Sequence, residues 1–68
     1  METKYDWSGV PEEVNWIFTD QDGDVLESDF EPENTGIGWR GTECGSWWFS
    51  TCEPFKGNWK DSLEERTK

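Results

Sequence analysis

Sixty-eight residues carrying 16 acids, six bases and no His have a net charge of −10 and make a single domain, spanning 1–68. A chain this short sits near the lower limit for one self-sufficient core, which leaves no room for a deep catalytic cleft. Its negative field also speaks against direct contact with nucleic acid or an anionic membrane.

The first residues, Met1-Glu2-Thr3-Lys4-Tyr5-Asp6, lack the charged and then apolar pattern of a signal peptide, so a cytoplasmic location is expected. Ser8-Gly9-Val10-Pro11-Glu12-Glu13 reads as one helical turn, with Pro near its start and acids in the first turn. In Val14-Asn15-Trp16-Ile17-Phe18-Thr19-Asp20 the apolar Val14, Trp16 and Phe18 alternate with Asn15, Ile17 and Thr19, the period of a strand. Asp20-Gln21-Asp22-Gly23-Asp24 follows as a turn, Gly23 supplying a positive φ. A second strand is predicted over 25–31, with Leu26, Ser28 and Phe30 on one face and Val25, Glu27, Asp29 and Glu31 on the other.

Glu31-Pro32-Glu33-Asn34-Thr35-Gly36 is expected to be a loop, since Pro cannot donate to a ladder and Asn and Gly favour turns. Further strands are predicted over 37–42 and 46–52, joined by Glu43-Cys44-Gly45. Asp61-Ser62-Leu63-Glu64-Glu65 is expected to open a short C-terminal helix, or a tail that frays over 61–68. The fold class is therefore mainly β: a small antiparallel meander of three or four strands, with a short N-terminal helical turn. Ala is absent and Leu occurs only at 26 and 63, whereas six Trp and four Phe supply the core. High charge with few aliphatic residues also marks disordered chains, but such chains are poor in aromatics.

Catalytic chemistry finds little to work with. No His is present to act as a base, no nucleophile elbow is visible, and no Gly-rich phosphate loop ends in Lys. An enzyme is not expected, nor a cofactor. Asp20, Asp22 and Asp24 are spaced like calcium ligands, yet Gly23 is out of register for an EF-hand, so a hairpin turn is the better reading. Zinc is not expected with two thiols and no His. In a reducing compartment Cys44 and Cys52 are expected as free thiols, although their pairing stays open.

The acids cluster. Ten of them, including Asp20, Asp22, Asp24, Glu27, Asp29, Glu31 and Glu33, lie between Tyr5 and Trp39, where no Lys or Arg occurs. Glu27, Asp29, Glu31 and Glu33 occupy alternate positions, so an extended backbone would set their carboxylates about 6.5 Å apart on one face. Two phosphate steps along a duplex strand cover about the same distance. Asp20 to Asp24 and this row are the candidate partner-binding residues, facing a basic surface of another protein. A charged edge that merely discourages aggregation gives the same pattern. Exposed aromatic rings make a second candidate surface, for a protein or, less readily, a carbohydrate.

Asp6-Trp7-Ser8, Pro11-Glu12, Val14-Asn15-Trp16-Ile17, Thr19-Asp20, Asp22-Gly23 and above all Asn58-Trp59-Lys60-Asp61-Ser62-Leu63-Glu64-Glu65-Arg66 resemble small Trp-rich acidic proteins of tailed bacteriophages. The resemblance covers the two ends and the first hairpin, and this chain closes on Arg66-Thr67-Lys68 where family members often have Arg-Pro. It implies a phage product of the bacterial cytoplasm, a class in which small acidic proteins often inhibit host enzymes or defence systems; the acidic row adds the reading of a DNA mimic. The resemblance implies no catalytic residue.

Overall fold

The alternation at 14–20 and the Asp-Gly turn produce the hairpin at the centre of the fold. A computed structural model describes residues 3–41 and 45–66. Strand β1 (Trp16–Thr19) pairs antiparallel with β2 (Val25–Ser28), Ile17 facing Glu27 and Phe18 facing Leu26. Between them Gly23 adopts φ +88° and donates to Asp20 O at 3.0 Å, closing the short reversal that glycine permits. Two further strands complete the sheet: β5 (Trp47–Phe49) beside β2, and β6 (Glu64–Glu65) beside β1, giving the order β5-β2-β1-β6. Strands β3 (Glu33–Asn34) and β4 (Trp39–Arg40) form a separate two-stranded hairpin.

The molecule is mainly β, as the alternating strands imply, but it differs in four details. The second strand ends at Ser28, because Asp29 and Phe30 bend away and Ser28 Oγ donates to Phe30 O at 2.7 Å. Part of the expected 31–36 loop is β3, which pairs with β4 rather than extending a meander. The expected helical turn at 8–13 is two successive reversals, in which Val10 N donates to Trp7 O and Val14 N to Pro11 O, each at 3.1 Å. At the C-terminal end a 3-10 turn (Trp59–Asp61) and β6 replace the expected helix or frayed tail. The part of the predicted strand at Thr42, with Glu43 and Cys44, lies outside the described residues.

Residues directly opposite in antiparallel strands share a face. Ile17, Thr19, Val25, Glu27, Trp48 and Glu64 therefore point one way, and Trp16, Phe18, Leu26, Ser28, Trp47, Phe49 and Glu65 the other. The first face is roofed by Tyr5, Trp7, Val10 and Val14 from the N-terminal segment, with Cys52 and Phe55. On the second, Trp39 of β4 lies 5.3 Å and Trp47 5.8 Å from Phe18, and Trp59 meets Trp39 edge-on at 6.0 Å. Phe30 packs against the chain at Gly41 and Gly45, where a Cβ would collide with its ring.

Thr19 ties these layers together. Its backbone N–H donates to Ser62 Oγ at 2.8 Å, and its carbonyl accepts from Trp39 Nε1 at 2.9 Å. Its hydroxyl bonds Tyr5 at 2.8 Å and accepts from Phe55 N at 3.1 Å. Tyr5 in turn donates to Ser62 O at 2.9 Å. Every group in this buried knot is paired, which is what makes burying it affordable.

Candidate binding surface

The acids of the first hairpin divide by what the fold does with them. Asp20 serves its own turn: its Oδ1 accepts from Asp22 N at 2.9 Å and from Asp24 N at 3.0 Å. Asp22 and Asp24 are exposed at the hairpin tip.

Glu27 is not a surface residue. Pairing with Ile17 turns it onto the roofed face, where it is 5% exposed and accepts from Trp48 Nε1 at 2.9 Å and Ser50 Oγ at 2.7 Å. The expected row of four carboxylates is thus broken at its first member. It is broken again after Ser28, because the backbone no longer alternates and Pro32 is buried. Asp29 is exposed but accepts from Ser46 N at 3.0 Å, and Glu31 is exposed. Glu33 pairs with Arg40 at 2.8 Å, an exposed contact of small energetic weight. What survives is two acidic groups, Asp22 with Asp24 and Asp29 with Glu31, at opposite ends of β2. About five residues of extended chain, roughly 17 Å, separate them.

The bases leave this field standing. Among the described residues Arg40 to Glu33 is the one ion pair between side chains. Lys4 Nζ donates to the carbonyls of Asp61 at 2.6 Å and Leu63 at 3.0 Å. Arg66 donates to Val14 O at 2.7 Å and Pro11 O at 2.6 Å while covering the Trp7 ring at 4.9 Å. Lys60 lies 5.8 Å from the centre of the Trp59 ring. Lys4, Lys60 and Arg66 therefore brace carbonyls and rings, and Asp22, Asp24, Asp29 and Glu31 have no ion-pair partner among the described residues.

No protein family, no curated protein and no solved structure matches this chain. Its own geometry carries the functional argument.

Sequence reading gave exposed aromatics as a general class, and the structure gives their positions. Phe49 is 74% exposed, Trp47 42% and Ile37 83%, the last at the tip between β3 and β4 where Gly36 has φ +89°. Trp47 and Phe49 share the second sheet face, so the period of two in Trp47-Trp48-Phe49 was the available signal. Cys52 has no disulfide partner among the described residues, its Sγ lying 3.5 Å from Asp6 O, and Cys44 is outside them.

Proposed function

We propose that this protein binds and inhibits a host protein through a basic, nucleic-acid-handling surface, its exposed carboxylates standing where phosphates would. The observation that carries the reading is the lack of internal neutralisation: ten acids lie between Tyr5 and Trp39, and Arg40 to Glu33 is their one ion pair among the described residues. Asp22, Asp24, Asp29 and Glu31 form the contact, and Glu27 is removed from it. The likeness to acidic bacteriophage proteins directs the proposal to a bacterial target in the host cytoplasm. No helix among the described residues is long and apolar enough to cross a membrane.

A second reading, an aromatic interaction surface, draws support from the exposure of Phe49 and Ile37. Salt separates the two, because exposed charges are screened beyond about 10 Å at 0.1 M ionic strength while apolar contacts are not. The test is affinity capture from bacterial lysate at low and high salt, with duplex DNA as competitor. Nucleic-acid-handling proteins that are lost at high salt and displaced by DNA are the expected result. Retention of proteins indifferent to both salt and DNA would refute phosphate mimicry.

A further inference from the structure

We infer that β5 is a docking edge that takes an extended, basic segment of a partner protein as an added antiparallel or parallel strand. The backbone pattern decides which groups are free. Ser50 N donates to Val25 O at 2.9 Å and Asp29 N donates to Ser46 O at 3.3 Å, so residues 46, 48 and 50 direct their hydrogen bonds to β2. By the alternation of an antiparallel ladder, the N–H and C=O of Trp47 and Phe49 point to the opposite side. Nothing among the described residues pairs with them there.

The same two residues carry exposed rings, 42% and 74% accessible. An open edge with large apolar side chains is what folded proteins usually suppress with charge, Pro or brevity. The other edge of this sheet is suppressed in that manner: β6 has two residues, both Glu, and Arg66 anchors its end by donating to Asn15 O at 2.8 Å. The contrast between the two edges points to use of β5. Strand addition supplies affinity through main-chain bonds and selectivity through alternate side chains.

Charge selects the occupant. Asp29 is held to Ser46 N at 3.0 Å on the β2 side of the strand, Glu53 is exposed beyond its end, and the chain as a whole carries −10. A second copy would bring another chain of net charge −10 to the same edge, whereas a guest strand carrying Lys or Arg is attracted by that field. The preference for a basic guest rests on the acidic-surface reading proposed above.

The test uses the full chain labelled with nitrogen-15 and an alternating Lys-Val peptide of about eight residues, a length typical of one strand. Amide exchange at Trp47 and Phe49 should slow by at least about tenfold on peptide addition. A peptide of the same sequence with alternate backbone nitrogens methylated should lose that protection. Phe49→Pro, which removes an outward donor and leaves the β2 ladder intact, should bind more weakly than Phe49→Ala. Equal binding of the methylated peptide would overturn strand addition, as would equal binding by the two variants with unchanged dichroism. Shifts confined to Asp22 and Asp24 would overturn the docking edge while leaving the acidic surface standing. Equal protection by a Glu-Val peptide would overturn the basic guest, while the acidic reading stands or falls separately on the salt- and DNA-sensitive capture. Protection of Trp47 and Phe49 that grows with protein concentration alone would make the occupant a second copy, contradicting the inference.

Discussion

Ser62 is fully buried, and its hydroxyl accepts the Thr19 N–H while facing the carbonyls of Thr19 and Trp59. Ser62→Ala leaves that amide buried without an acceptor, so a loss of about 1–3 kcal/mol is expected in denaturant unfolding. Glu27→Ala strips the acceptor from Trp48 Nε1 and Ser50 Oγ, with an expected loss of similar size. An unchanged midpoint in either variant would contradict the hydrogen-bonding account. Burial pushes the Tyr5 hydroxyl above its ordinary 10.0. The unfolded chain then gives up this proton first, so the stabilisation is complete below about pH 10 and is lost as pH rises through the folded value. The melting temperature should fall more steeply above about pH 10 in the native chain than in Tyr5→Phe, as a pH series of thermal melts would reveal. Neither buried role was legible locally. Glu27 belongs to an acid-rich run, and only its register against Ile17 shows that the face it shares with Val25 is an interior one.

The central hairpin was readable because its signals are local: period-two alternation and an Asp-Gly turn lie within 14–28. The C-terminal segment was not, because β6 has two residues and gains its structure from β1, far away in sequence. Its acidic and basic side chains look like a solvated helix but act as a clasp. Glu64 accepts from Trp7 Nε1 at 2.7 Å and Lys4 N at 2.8 Å, and Arg66 spans Val14 and Pro11. The run Asn58 to Arg66 thus has a structural role of its own. Asn58 caps the 3-10 turn, Trp59 packs on Trp39, and Ser62, Glu64 and Arg66 tie the ends together. Arg66→Ala should lower the melting temperature by several degrees, since a loss of about 1 kcal/mol shifts a domain of this size by about 4–8 °C. Glu12→Ala, on an exposed turn, should leave it within about 0.5 kcal/mol of the native value.

At the scale of the whole molecule, composition sets the net charge of −10, while the arrangement of the acids depends on the fold. A regular row from Glu27 to Glu33 gives way to two groups flanking β2, one carboxylate lost to the interior and one paired with Arg40. Lys4 and Arg66 hold backbone carbonyls rather than these acids. The decisive measurement is the affinity of charge-reversed variants for a target obtained by salt-sensitive capture. Asp29→Lys with Glu31→Lys alters the proposed contact. Glu12→Lys with Glu13→Lys makes the same change of net charge at exposed acids outside the proposed contact, and so controls for long-range steering. The first pair should abolish binding with its dichroism intact, and the second should weaken it only slightly. Full binding by the Asp29 and Glu31 variant, with its fold unchanged, would contradict the acidic contact surface.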